Sequence, residues 1–140
     1  MRVVIDNNVV IDVLQDRKPF NIEAERIFFA IGEEKFEPFV TANSLTDIFY
    51  VLCRRNNVKD VKNNIKKLVN IVTVVTITET DCKNALNKSM DDFEDAIIDV
   101  CAKKINADYI VSRDEKFLKE KTEVSVITPK KLLSIIKKLD

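Results

Sequence analysis

Four aspartates stand beside apolar runs that read as strands or open helices that follow them. Asp6 ends Val3-Val4-Ile5. Asp47 lies about one turn into a helix after the second strand, among Leu45, Ile48 and Phe49. Asp95 lies in Asp92-Phe93-Glu94-Asp95, and Asp114 follows Tyr109-Ile110-Val111 closely. Carboxylates gathered in one cleft repel, and a divalent cation makes the gathering tolerable. Mg²⁺ and Mn²⁺ take oxygen ligands and keep several waters. A cation held in this way polarises a phosphate oxygen and acidifies a water, which suits phosphodiester hydrolysis. Each acid also has an ordinary structural role. Asp6, Asp92 and Asp114 can cap helices, Asp95 can favour a helix dipole, and Asp47 can face solvent. The joint placement is what points to a metal.

The rest of the composition narrows the chemistry. The chain has no histidine, so Ser-His and Cys-His nucleophile pairs and all His-containing metal sites are excluded. Its one glycine, Gly32, rules out G-x-G-x-x-G and Walker A phosphate loops. Cys53, Cys82 and Cys101 are far apart and odd in number, which reads as buried free thiols in a reducing compartment. Net charge is zero, giving no whole-molecule argument for a nucleic-acid partner. No apolar run suits a membrane span, and the opening residues lack the features of a signal peptide, so a cytoplasmic protein is expected.

The elements that must position these acids follow from periodicity. Residues 2–6 read as a buried strand and Val9 to Leu14 as a short helix. Asn21 caps a helix from Ile22 to Gly32, with Ile22, Ile27, Phe28 and Ile31 as its apolar stripe. Phe36 to Thr41 reads as a strand. Asn43 or Ser44 then caps a helix to about Arg55, with Leu45, Ile48, Phe49 and Leu52 on its core face. Val58 to Val69 is a helix with a lysine-rich solvent side, and Ile71 to Ile77 a strand. Thr78 to Asp81 starts a helix ending near Lys88, and Asp92 caps another to about Ile105. Tyr109 to Val111 is a strand, followed by a helical piece near Phe117 and a last strand, Val124 to Ile127. Thr128-Pro129 opens a final helix to Leu139. This order predicts one α/β domain over residues 1–140, a three-layer α/β/α arrangement around a mostly parallel sheet of four to five strands. The acids then fall at its carboxyl edge, where open sheets bind ligands.

Four segments, in order, resemble the motifs of the PIN-domain nucleases, in particular the branch with VapC-type toxins. Ile5-Asp6-Asn7-Asn8-Val9-Val10-Ile11-Asp12-Val13-Leu14 looks like the opening motif, and Asp92-Phe93-Glu94-Asp95-Ala96 like the central one. Ala107 to Asp114 with Phe117 is similar to the fourth acidic motif, and Val126-Ile127-Thr128-Pro129 to the closing strand and helix start. The resemblance implies a Mg²⁺- or Mn²⁺-dependent endoribonuclease, the toxin of a type II toxin–antitoxin pair. Its partners would be RNA, an antitoxin and a second copy of the chain. It implies Asp6, Asp95 and Asp114 as metal ligands, and Asp47 as a further ligand or water-orienting group. Asn8 and Ser112 would be supporting residues. Two positions depart from the pattern: Asn7 replaces the usual Thr, and Asp47 stands where Glu is usual.

Other residues carry plainer expectations. Asp99 shares a face with Asp95 and reads as solvated or structural. Asp12 faces away from the site, Glu94 faces solvent, and Phe28, Phe29, Phe36, Phe39 and Phe49 belong to the core. Arg17, Lys18, Arg54, Arg55, Arg113 and Lys116 are the cations near the edge that could meet phosphates. Two alternatives compete with the nuclease. One is a catalytically inactive PIN-like module that binds RNA or a protein. The other is a phosphoryl-transfer α/β protein, disfavoured because Asn8 replaces the second acid of Asp-x-Asp and because helices come in pairs between strands.

Overall fold

Short strands of Val and Ile, each followed by helices that carry the chain back, can only pair in parallel. The computed structural model describes residues 1–140 and realises that alternation in the expected order. The elements are β1 (Arg2–Ile5), α1 (Asn7–Leu14), α2 (Asn21–Gly32), β2 (Glu37–Thr41), α3 (Ala42–Cys53) and α4 (Val58–Ile71). They continue with β3 (Thr73–Val75), α5 (Glu79–Leu86), α6 (Phe93–Lys104), β4 (Tyr109–Val111), α7 (Glu115–Lys119), β5 (Val126–Ile127) and α8 (Pro129–Lys138). The strands form one sheet in the order β3-β2-β1-β4-β5, and every pairing is parallel.

The chain builds outward from β1 through β2 to β3, then returns to the other side of β1 for β4 and β5. That reversal opens a crevice at the carboxyl ends of β1 and β4. Ile5 lies opposite Val111, and the amide of Asp6 donates to the Val111 carbonyl at 3.0 Å. Asp6 is thereby held against the Ser112–Asp114 turn.

Residues alternate across the strands, so the sheet has two buried faces. Val3, Ile5, Val40 and Val111 pack with Val9, Ile27, Ile48, Leu52, Leu68 and Leu132 from the helices of one layer. Val4 and Ile110 pack with Ala96, Ile97, Val100, Cys101 and Phe117 on the other. Together the layers make the three-layer α/β/α fold.

Several boundaries differ from the sequence expectation. The expected strand at Ile71–Ile77 is only Thr73–Val75, because α4 runs on to Ile71. The strand expected from Val124 begins at Val126, because the Asp99 carboxylate takes the amides of Glu123 and Val124. Asn21 is the first residue of α2 rather than its cap. Its side-chain amide donates to Asp16 at 2.8 Å and to Glu25 at 3.3 Å. α3 starts at Ala42, with Thr41 in the capping position and its hydroxyl against Asn43 and Ser44. After α2 the left-handed residue is Glu34, not Gly32. Ile22 and Phe29 leave the core face of α2 and stand exposed. The cysteines are free as expected, but only Cys101 is buried.

Candidate metal centre

Asp6 has left the β1 ladder and caps α1, its Oδ1 accepting from the Asn7 amide at 2.9 Å. Its Oδ2 accepts from Ser112 Oγ at 2.7 Å and from Asn8 Nδ2 at 3.2 Å. Asn8 also donates to Ser112 Oγ at 3.1 Å and accepts from the Arg113 amide at 3.3 Å. Ser112 Oγ accepts in turn from the Asp114 amide at 3.1 Å. One hydroxyl and one carboxamide thus tie the ends of β1 and β4 together. Asn7, the departure from the family pattern, contributes its backbone amide to this network.

Asp114 caps α7, accepting from the Lys116 amide at 3.0 Å. Asp92 caps α6 through the Asp95 amide at 3.0 Å. The structural roles open to these acids are therefore real, and the acids also converge. Burial raises Asp6 to about 6, against the opposing hydrogen bonds from Ser112 and Asn7; the charges of Asp114 and Asp92 push the same way as burial. Asp95 is raised to about 7 by desolvation, then by Asp92, Asp6, Asp114 and Glu94. Asp95 is only 7% exposed overall, and its carboxylate, which still touches solvent, accepts no hydrogen bond and has no cation within ion-pairing distance.

Asp47 enters the group through Glu94. Partial desolvation, then a hydrogen bond shared with Asp47, raises Glu94 to about 7. Glu94 is exposed, as the sequence predicts, and meets Asp47 at the rim of the group.

Other neighbours have firm structural partners. Asp12, 1% exposed, faces away from the acids and takes Arg113 in two contacts of 2.6 and 2.9 Å. Arg113 also lies over the Phe20 ring at 3.9 Å, so this cation is already engaged. Asp99 is buried rather than solvated, and binds Lys88 at 3.1 Å besides the two loop amides. The largest cavity, about 760 Å³, lies at the opposite edge of the sheet, around Met1, Phe36 and Glu37, with none of these acids in it.

Whether the residues suit a divalent cation can be tested on this arrangement. The donors are all carboxylate oxygens, the set that hard cations take. Their mutual repulsion and the unpartnered Asp95 carboxylate leave negative charge that nothing in the chain neutralises. No three of them already close on one point as a finished ligand shell. The set fits a cation that keeps part of its water shell.

A PIN-domain family model matches residues 2–116. Comparison with curated proteins finds no match. Solved structures share the fold. VapBC2 from Rickettsia felis, bound to a promoter DNA fragment, aligns with a TM-score of 0.68 at 8% identity, covering 91% of this chain and 98% of that one. VapC20 of Mycobacterium tuberculosis, a sarcin–ricin loop cleaving toxin, gives 0.67 at 15% identity over 82% and 92%. VapBC-1 from nontypeable Haemophilus influenzae gives 0.67 at 15% identity over 93% and 99%.

Proposed function

We propose, from the premise that this chain belongs to the PIN-domain family, that it is a divalent-metal-dependent endoribonuclease and the toxin of a toxin–antitoxin pair. The observation that carries the reading is the unpartnered carboxylate of buried Asp95 among Asp6, Asp92, Glu94 and Asp114. The toxin assignment and an antitoxin partner rest on the family and on the VapBC complexes that share the fold. RNA as substrate rests on the resemblance and on the loop-cleaving toxin of the same fold. No helix is long and apolar enough to cross a membrane.

Asp6, Asp95 and Asp114 would hold Mg²⁺ or Mn²⁺. Bound there, the cation supplies neutralising charge for a phosphate and a water made more acidic. Ser112 and Asn8 fix the Asp6 carboxylate by two hydrogen bonds to Oδ2, so that it cannot swing away. Glu94, raised by partial desolvation and by Asp47 beside it, titrates near neutrality. An oxygen of this pair is therefore suited to take a proton from the attacking water, as a general base does. The water attacks phosphorus in line, and the bridging oxygen on the far side leaves.

The test is cleavage of RNA with Mg²⁺ or Mn²⁺ by the unaltered protein, Asp6→Asn and Asp114→Asn. Loss of at least about a hundredfold in each variant is expected, the scale of removing a group that acts in the transition state. Unchanged cleavage in both would overturn the assignment.

A further inference from the structure

Of the chain's six arginines, Arg2 and Arg113 are ion-paired, to Glu37 and Asp12. Arg17, Arg54 and Arg55 instead line one cavity of about 300 Å³, with Gln15 and Val51. None of these three has a carboxylate within ion-pairing distance. The Arg17 side chain donates only to Gln15, at 3.1 Å. Asp16 shares a neighbouring cavity with Arg55 but accepts from Asn21. Basic residues after a helix favour its dipole, which would account for Arg54 and Arg55 on α3 alone. It does not account for Arg17, which arrives from beyond α1 to face the same space.

Like charges brought together without a counter-ion make an anion site, and arginine suits phosphate through its planar fork of donors. The cavity is also connected to the acidic cluster. α1 is capped by Asp6 at one end and by Gln15 at the other, and it packs along α3. On α3, Asp47, Val51 and Arg54 follow at helical spacing on one face. Seven residues of helix separate Asp47 from Arg54, about 10 Å of axis. Between them Tyr50, 65% exposed, holds the Arg54 guanidinium over its ring at 4.9 Å. An exposed aromatic ring is what single-stranded nucleic acid uses for stacking.

We infer that Arg17, Arg54 and Arg55 form a phosphate subsite for the RNA strand that runs from the acidic cluster along α3, with a base against Tyr50. The subsite rests on the RNA reading above and adds where the strand lies. The contacts are to backbone phosphate, so they hold the strand without selecting its sequence.

The experiment is fluorescence anisotropy with a fluorescein-labelled single-stranded oligouridylate in EDTA, where nothing is cleaved, across a series of salt concentrations. Arg54→Ala/Arg55→Ala should bind at least about tenfold more weakly at low salt. Two lost phosphate contacts should also flatten the dependence of log K on log salt by about 1.4. Arg54→Lys/Arg55→Lys, which keeps the charge, should retain most of the slope. Both arginines are exposed, so the variants should melt like the parent. In the cleavage assay the alanine pair should raise KM with little change in kcat. Equal affinity and equal slope in the alanine pair, or no RNA binding by the parent, would overturn the subsite. Arginine-dependent binding without cleavage would sink the nuclease assignment and leave the subsite standing. Cleavage with arginine-independent binding would do the reverse.

Discussion

Replacing Asp6 by Asn should abolish cleavage yet make the metal-free protein more stable. Asp6 is 4% exposed and its folded-state pKa is raised from 3.8 to about 6. A raised carboxylate pKa means the folded protein holds the proton more tightly than the unfolded chain. The stability this gives is complete below pH 3.8 and is lost as pH rises through about 6. Above that, keeping Asp6 charged costs about 3 kcal/mol, at 1.36 kcal/mol per pKa unit. Asn removes the charge and caps α1 as well as Asp does. It loses one acceptor facing Ser112 and Asn8, at about 1 kcal/mol, although the Ser112 hydroxyl can turn and accept instead. The net gain is about 1–2 kcal/mol, or roughly 3–6 °C in Tm for a domain of this size. Thermal unfolding by circular dichroism in EDTA would measure it. The gap should be full near pH 8, shrink below about pH 6 and close near pH 4. Mn²⁺ should then raise the Tm of the parent by mass action and leave Asp6→Asn nearly unmoved. An Asp6→Asn protein that melts below the parent at pH 8 in EDTA would refute the electrostatic argument. An equal gain from Mn²⁺ would refute the ligand role.

Ser112→Ala removes the hydroxyl that holds Asp6 and receives the Asn8 amide and the Asp114 backbone, and should cost about 1–3 kcal/mol by denaturant unfolding. Its cleavage rate should fall further than its RNA affinity. Asp12→Asn leaves Arg113 without its buried partner, and should cost about 3–5 kcal/mol and weaken cleavage by loosening the turn before Asp114. Asp99→Asn uncouples Lys88 and the Glu123–Val124 amides, and should cost several kcal/mol while Mn²⁺ binding by titration calorimetry stays close to the parent's. Glu94→Gln should lower kcat and remove a limb near neutral pH from its pH profile, because this group titrates at about 7.

The sequence made the sheet legible because its signals were local. Val3-Val4-Ile5 followed at once by a helix put Asp6 at a strand end, and Thr128-Pro129 marked the start of α8 without help from tertiary structure. The strand end at Val124 was not legible, because it is decided by Asp99, a partner distant in the chain, while the one at Ile71 was lost to the run-on of α4. The same holds within the site. Glu94 is exposed as expected, but that it meets Asp47 was not legible, because Asp47 lies on another helix. Arg113 looked free for phosphate because nothing near it in sequence announces the buried Asp12 carboxylate, 101 residues away. Arg17 and Arg54 could be counted in the sequence, but not seen to face each other across one cavity.

The pairing of β1 with β4 also sets when the proposed site can form. Asp6 and Ser112 are 106 residues apart, and no earlier strand can substitute for β4 beside β1. A chain emerging from the ribosome can build β1, β2, β3 and the helices between them while the edge beside Asp6 is still open. The crevice closes only when Tyr109–Val111 docks and brings Asp114 with it. Domains fold late in synthesis when their contacts span the chain. Within residues 1–140 the proposed site is thus complete only once β4 has paired across β1.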